Sequence, residues 1–135
     1  MSALAYAIEP DLTVAEFLDI LGRSTLLERR PSDPATLAAM LLHASLIVTA
    51  RAGDGRLVGV SRSLTDFAYC CYLSDLCVDA AVQRQGIGRA LIERTRAALR
   101  PGCMLLLLAA PAANDYYPHI GFEKRERAWW IPSQT

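Results

Sequence analysis

Residues 83–88 have the sequence Gln83-Arg84-Gln85-Gly86-Ile87-Gly88, which joins an apolar, strand-like run at 73–79 to an amphipathic helix. The start of a helix carries free N–H groups and roughly half a positive charge, so it attracts anions. Because neither glycine has a Cβ, phosphate oxygens could approach the main chain closely. The stretch therefore predicts a phosphate-binding turn; the alternative is a glycine turn that binds no ligand.

Two common phosphate-binding motifs do not fit this turn. A dinucleotide-binding fingerprint would need glycine or alanine where Leu91 stands, and an acidic residue about twenty positions later. A P-loop would need Gly-Lys-Ser or Gly-Lys-Thr, and the sequence contains neither tripeptide. The turn therefore belongs to another class of phosphate site.

The turn resembles the acyl-CoA-binding motif of the Gcn5-related N-acetyltransferase (GNAT) superfamily, whose pattern is Gln/Arg-x-x-Gly-x-Gly/Ala. Gln83, Gly86 and Gly88 match that pattern. The resemblance extends backward into Leu76-Cys77-Val78-Asp79, where the family has apolar-x-Val-x-Pro and this chain has Ala80 at the proline position.

A second stretch lies a helix and a strand downstream. Tyr116-Tyr117-Pro118-His119-Ile120-Gly121-Phe122 is similar to the family signature Phe-Tyr-Glu-Lys-x-Gly-Phe. With their flanking elements, the two motifs cover most of the chain. The resemblance implies an α/β (α+β) architecture, the GNAT fold. This fold has a central mixed, largely antiparallel sheet with a splayed parallel strand pair, flanked by about four helices, here as one domain over residues 1–135.

Length and composition agree with one soluble domain. A chain of 135 residues can bury about two thirds of its unfolded surface. Although 53% of the residues are hydrophobic, the apolar runs are too short to span a bilayer. The first residues lack the basic start of a signal peptide. We therefore expect a cytoplasmic protein with no membrane partner.

Charge and cysteine content exclude two further classes of partner. The 14 basic and 14 acidic residues balance, which argues against general nucleic-acid binding. The four cysteines have no paired Cys-x-x-Cys spacing, so we expect no metal site and interpret them as buried free thiols.

Periodicity and cap chemistry predict the remaining elements. Thr13 and Glu16 form a capping-box pattern, and Asp33 followed by Pro34 marks the start of a second helix. The full prediction is a strand at 4–8, helices beginning after Thr13 and Asp33, a hairpin of 46–51 and 57–64, a strand at 71–78, a helix from Gly86 to about Arg100, a parallel strand buried on both faces at 103–109, a short helix at 112–119 and a last strand at 122–130.

The resemblance implies that acetyl-CoA lies with its pantetheine arm between the two splayed strands, where a main-chain N–H would also stabilise the oxyanion. Tyr117 aligns with the family tyrosine that protonates the departing thiolate, with a packing role as the alternative. Asn114 would hold the pantetheine amides or cap the short helix. The implied acetyl-CoA-binding residues are Leu76, Cys77, Val78, Gln83, Arg84, Gln85, Gly86, Ile87, Gly88, Arg89, Ala90, Asn114 and Tyr117.

The base that would deprotonate an amine acceptor is the open question. Losing the proton from a primary ammonium at pH 7 costs roughly 4 to 5 kcal/mol. Tyr72-Leu73-Ser74-Asp75-Leu76 resembles the Tyr-Leu-Glu-Asp run of spermidine/spermine N-acetyltransferases, with Ser74 in place of their proposed glutamate base. Asp75 or Asp66 acting through water is a candidate, and the alternative is that each satisfies local amides or arginines. Tyr117 and Asp75 are therefore the catalytic candidates.

The sequence thus favours an N-acetyltransferase that moves an acetyl group from acetyl-CoA to a primary amine by direct attack in a ternary complex. The alternative is an acyl-CoA-binding regulatory domain without efficient catalysis. The amine could belong to a small molecule or a peptide. Analogy with the family adds a possible homodimer.

Overall fold

The computed structural model describes residues 3–134, which form a five-stranded sheet of order β1-β2-β3-β4-β5. The first four strands are antiparallel and β4 pairs with β5 in parallel. The elements are β1 Ala5–Ile8, α1 Val14–Arg23, α2 Pro34–Leu42, β2 Leu46–Arg51, β3 Leu57–Thr65, β4 Cys70–Val78, α3 Ile87–Ala97 and β5 Met104–Leu106. The predicted mixed sheet is confirmed, with three α-helices in this range rather than about four.

Both predicted helix starts are present. The Thr13 hydroxyl accepts a hydrogen bond from the Glu16 N–H at 3.1 Å, and the Asp33 carboxylate accepts one from the Thr36 N–H at 3.0 Å. These bonds satisfy amides that have no partner within the helix. The Glu16 carboxylate does not complete the capping box, because it accepts a hydrogen bond from Arg51 at 2.7 Å instead.

The core lies on both faces of the sheet. Helices α1 and α2 cover one face, where Phe17 and Leu37 pack against Val60. Helix α3 covers the other, where Leu91 packs against Val58. This arrangement places the start of α3 beside the end of β4.

Helix α3 lies very close to β3 at Gly59. A Cβ on this residue would lie 3.0 Å from the Leu91 side chain and 3.1 Å from the Ile87 side chain. Only glycine allows this approach without displacing those side chains. The glycine thus sets how closely the helix packs on the sheet.

The prediction for β5 was wrong in length and burial. The strand covers three residues, and Met104 and Leu106 are 46% and 44% exposed. Within residues 3–134, β5 is one of the two edge strands and pairs with β4 alone. An apolar run therefore does not by itself ensure burial on both faces. Helix α3 also ends earlier than predicted, at Ala97 instead of about Arg100.

The C-terminal predictions were wrong as well. The expected helix at 112–119 is two short 3-10 turns, Pro111–Ala113 and Tyr117–Ile120. The expected strand at 122–130 does not form among the described residues, and Trp129 and Ile131 are 93% and 96% exposed. A strand needs a neighbour for its main-chain groups, and an apolar pattern alone does not supply one.

All four cysteines are free, but only Cys71 and Cys77 are buried. Burial raises the pKa of the Cys77 thiol to about 12. Among the described residues, no cluster of three or more His, Cys, Asp or Glu side chains is placed to hold a metal ion. Nor does any described helix have the length and apolarity needed to cross a membrane.

Candidate active site

Strands β4 and β5 separate partway along their length. They pair at Cys70 with Met104, Cys71 with Leu105 and Tyr72 with Leu106, and no further pair follows. From residue 73 to residue 78, the edge of β4 that faces β5 has no strand partner in the described part of the chain. We call this gap the β4–β5 opening.

The ladder between β3 and β4 shows which main-chain groups face the β4–β5 opening. The Asp79 N–H donates to the Val58 carbonyl at 2.9 Å, so these two residues form a hydrogen-bonded antiparallel pair. Such pairs alternate along a ladder. The main-chain groups of Cys77 therefore face β3, whereas those of Leu76 and Val78 face the opening. Of the three predicted strand residues, Leu76 and Val78 can offer an N–H to a ligand, and Cys77 cannot.

The turn after β4 is held by a side chain and a left-handed glycine. The Gln83 side-chain amide donates to the Val78 carbonyl at 3.1 Å, which fixes the turn against the strand. Gly86 has a φ of +82° and precedes the first residue of α3. Glycine adopts this conformation without the strain that a Cβ would cause. The Arg84 backbone is also left-handed, with a φ of +67°.

The first turn of α3 presents three free amides. The N–H of Ala90 donates to the Gly86 carbonyl at 3.0 Å, so it already belongs to the helix and is not available to a ligand. The N–H groups of Ile87, Gly88 and Arg89 have no hydrogen-bond partner among the described residues. The Ile87 side chain is buried in the core, so this residue can contribute only its amide. The free amides and the helix dipole together favour an anion here.

The charged side chains of the turn are exposed. Arg89 forms a 3.4 Å ion pair with Glu93, one turn further along α3. Arg84 and Gln85 are exposed, and Arg84 has no ion pair within residues 3–134. Surface ion pairs contribute little, so Arg84 and Arg89 remain free to turn toward an anionic ligand.

The two tyrosines of the second motif have different surroundings. The Tyr116 hydroxyl lies 3.7 Å from the position of a Cβ on Gly88, so it lies over the first turn of α3. The Tyr117 ring packs edge-on against Tyr116 and Phe122, with 5.3 Å between ring centroids in each pair. Burial raises the pKa of Tyr117, and the nearby Tyr116 and Cys77 raise it further. Tyr117 is therefore protonated at neutral pH, as a proton donor must be.

Sequence reasoning did not predict that Tyr116 would lie at this turn. The available signal was a tyrosine at the position where the family signature has phenylalanine. Asn114 is exposed at the end of a 3-10 turn, and its side chain makes no hydrogen bond among the described residues. It is therefore free to bind a ligand amide.

Asp75 does not have the surroundings predicted for a base. Its carboxylate is fully buried, and Arg30 and Arg62 each donate to it from Nε. The two guanidinium groups occupy both carboxylate oxygens, so neither oxygen is free to accept a hydrogen bond from an amine. The arrangement favours a structural role over the catalytic one that the sequence suggested.

Asp66 likewise bonds to its own loop. Its carboxylate accepts hydrogen bonds from the N–H groups of Ala68, Tyr69 and Cys70 at 2.8 to 3.1 Å. These bonds lower the pKa of Asp66. Asp66 therefore satisfies the amides of its own loop, which was the alternative to a role as a base.

Comparison with known proteins identifies the family of this chain. The family model described as an acetyltransferase (GNAT) domain matches residues 43–124. The chain is 33% identical over 97 residues to GCN5-related N-acetyltransferase 2, a chloroplastic protein of Arabidopsis thaliana, and the match covers 66% of this chain and 38% of the relative. The chain spans between 38% and 65% of the length of three curated plant relatives.

Solved structures agree at the level of the fold. A GNAT family acetyltransferase of Streptococcus pneumoniae TIGR4 superposes with a TM-score of 0.77 at 21% identity, covering 98% of this chain and 100% of that one. An aminoglycoside N-acetyltransferase in complex with CoA superposes with a TM-score of 0.74 at 18% identity, covering 100% and 97%. At these identities the two structures bear on the fold alone. The family model matches more than half of the residues of this chain, so the chain belongs to the GNAT acetyltransferase family.

Proposed function

We propose that this protein is an N-acetyltransferase that binds acetyl-CoA at the β4–β5 opening and transfers the acetyl group to a primary amine. The observation that carries the proposal is the arrangement of free main-chain donors. Leu76 and Val78 turn their N–H groups toward the opening, and the first turn of α3 begins next to it with three unpaired amides. Thioester and diphosphate oxygens are both acceptors, so one extended ligand can satisfy both sets.

In this proposal the diphosphate binds the amides of Ile87, Gly88 and Arg89. The pantetheine arm lies along the unpaired edge of β4. The N–H of Leu76 or Val78 then stabilises negative charge on the thioester oxygen when the amine attacks, which is where a fixed donor contributes most. Membership of the family and the CoA bound in a solved relative of the same fold support this assignment.

Tyr117 is the proposed general acid. A tyrosine hydroxyl with the ordinary pKa of 10.0 is already protonated at neutral pH, and burial raises the pKa of Tyr117 further. Protonating the departing thiolate at sulfur makes the coenzyme a better leaving group. The acceptor amine and the coenzyme would be bound together, so that attack is direct and no acyl-enzyme forms.

One observation favours a second candidate, an acyl-CoA-binding regulatory domain without efficient turnover. Both carboxylates considered as bases are engaged elsewhere, Asp75 by two arginines and Asp66 by three amides. Neither is positioned to take a proton from the amine. A protein that binds the coenzyme but turns over slowly would have such a site, with no free carboxylate to act as a base.

Calorimetry of coenzyme A binding, together with an assay of coenzyme A release, distinguishes the acetyltransferase from the regulatory domain. We expect coenzyme A and acetyl-CoA to bind to the purified protein, and coenzyme A release to accelerate with one class among polyamines, amino acids, aminoglycosides and peptides. Binding without release across that panel would favour the regulator. Absence of binding to either compound would refute both.

A further inference from the structure

Strand β4 carries one extra residue at the place where it leaves β5. Across the β3–β4 ladder Arg62 pairs with Asp75, but Ser63 pairs with Leu73, so Ser74 has no partner of its own and forms a β-bulge. The last pair between β4 and β5 lies two residues before it, at Tyr72. A bulge bends its strand and increases the twist. The bulge is therefore placed to turn β4 away from β5.

Two arginines hold the bulge at the carbonyl and the hydroxyl of Ser74. Arg30, which follows the 3-10 turn after α1, donates from Nη2 to the Ser74 carbonyl at 2.8 Å. Arg62, on β3, donates from Nη2 to the Ser74 hydroxyl at 3.0 Å. Both arginines also pair with the buried Asp75 carboxylate. The bulge is thus tied to β3 and to the connection between α1 and α2.

Such a cluster stabilises a core poorly, because burying its charges costs desolvation free energy. Arg62 and Asp75 are buried and Arg30 is partly buried, so this ion cluster gains little net stability, because its charges lose much of their hydration. Its better-attested effect is to favour one geometry over its alternatives. Here the nearest alternative is a regular β4 without a bulge, which would continue its pairing with β5 beyond Tyr72 and close the opening.

We infer that Arg30, Arg62 and Asp75 are positioning residues that hold the Ser74 bulge and thereby keep the N–H groups of Leu76 and Val78 free for the acyl-CoA ligand. This inference rests on the proposed function. It gives Asp75 a part in the site that acts through the main chain of β4 and not through proton transfer. It also links the connection between α1 and α2 to the geometry of the β4–β5 opening.

The test compares Arg30→Met with Arg51→Met. Each of these arginines has a side chain that is 22% exposed and binds carboxylates, but Arg51 lies on β2 and pairs with Glu9 and Glu16, away from the bulge. We expect Arg30→Met to raise the Kd for coenzyme A about tenfold or more, since small misplacements of a binding group are costly. Arg51→Met should change that Kd by less than about twofold. Arg30→Lys should give an intermediate Kd, because its ammonium retains the charge and can reach one partner.

Amide hydrogen exchange of the ligand-free proteins supplies a readout that does not depend on the coenzyme. In the native protein we expect rapid exchange at Leu76 and Val78. In Arg30→Met these two amides should become slower as β4 pairs further with β5, with no such change in Arg51→Met. If Arg30→Met does not fold, Arg30→Lys is compared in the same way.

The inference is overturned if Arg30→Met leaves both the Kd for coenzyme A and the exchange at Leu76 and Val78 unchanged, or if Arg51→Met alters both to the same degree. A native protein that binds no coenzyme A would instead refute the proposed function. The exchange comparison would then still decide whether the cluster holds the bulge.

Discussion

At the scale of single residues, the two adjacent tyrosines of the second motif lie in different surroundings. The Tyr116 hydroxyl lies over the first turn of α3, near Gly88. Tyr117 is more deeply placed, between the rings of Tyr116 and Phe122. Burial raises the pKa of Tyr117, so its hydroxyl keeps its proton at neutral pH, as the proton donor of the proposed reaction must.

We predict that Tyr117→Phe lowers kcat about a hundredfold or more while leaving the Kd for acetyl-CoA nearly unchanged. The ring and its packing remain, and only the proton is lost. Steady-state kinetics with the best amine and calorimetry with acetyl-CoA measure the two quantities. Tyr116→Phe is the control and should retain most of kcat. Equal losses in both variants would contradict the assignment of the acid.

At the scale of elements, the entry into α3 depends on one backbone conformation. Gly86 has a φ of +82°, and a Cβ there would meet nothing within 4 Å, so the cost of a side chain is conformational and not steric crowding. Gly55, in the β2–β3 hairpin, has a φ of +88° and is equally open. The two glycines therefore differ in location more than in strain.

We predict that Gly86→Ala and Gly55→Ala each lower the free energy of unfolding by about 1 to 2 kcal/mol, because alanine resists a positive φ. Only Gly86→Ala should also weaken coenzyme A binding, since it shifts the free amides of Ile87 and Gly88. Urea denaturation and calorimetry test this pair. A comparable loss of binding in Gly55→Ala would show that strain in general, and not the turn, is responsible.

The contact between α3 and β3 gives a second prediction for an element. Gly59→Ala should destabilise the protein by about 1 to 3 kcal/mol, because the new Cβ would lie 3.0 Å from Leu91 and 3.1 Å from Ile87. Gly22→Ala, in the last turn of α1, places its Cβ at an ordinary 3.8 Å from Leu27 and should not destabilise the protein. Thermal unfolding compares them, and an unchanged Tm for Gly59→Ala would refute the close packing.

At the scale of the whole molecule, ion pairs connect elements that are distant in sequence. Arg51 on β2 donates to Glu9, which follows β1, and to Glu16 on α1. Hydrogen bonds from Arg51 hold the pKa of Glu9 below its usual value of 4.5, against the opposing effect of burial. The Arg51 pairs thus tie the first strand and the first helix to the sheet.

This lowered pKa predicts part of the acid sensitivity of the fold. A carboxylate with a lower pKa in the folded state contributes stability that is fully present above its unfolded pKa and is lost as the pH falls through its folded pKa. We therefore expect the free energy of unfolding to fall below about pH 4.5, and Glu9→Gln to flatten that part of the profile. Arg51→Met should flatten it similarly, and an unchanged slope in both would refute the linkage.

The expected homodimer and cytoplasmic location remain predictions. Sedimentation of the purified protein tests the first, and imaging of the tagged protein in cells tests the second.

Local signals were enough for the order of the elements from β1 to β5 and for the helix starts. Thr13 and Asp33 cap their helices as predicted, and the turn at Gly86 has the expected form, because each involves only residues close in sequence. Sequence reasoning failed where a partner was needed from elsewhere. Within residues 3–134, Leu106 is exposed at an edge strand that pairs on one side only, and Trp129 is exposed because its segment pairs with no described strand.

By itself, the sequence determined that a strand leads through a glycine turn into a helix with free amides, because caps, periodicity and glycine positions act within a few residues. Only the tertiary structure decided that Leu76 and Val78, and not Cys77, face the β4–β5 opening, and that Asp75 is held by Arg30 and Arg62. Those outcomes depend on the register between strands, and one extra residue at Ser74 shifts that register. The physical reason is that pairing joins residues far apart in the chain, whose relative positions no local pattern specifies.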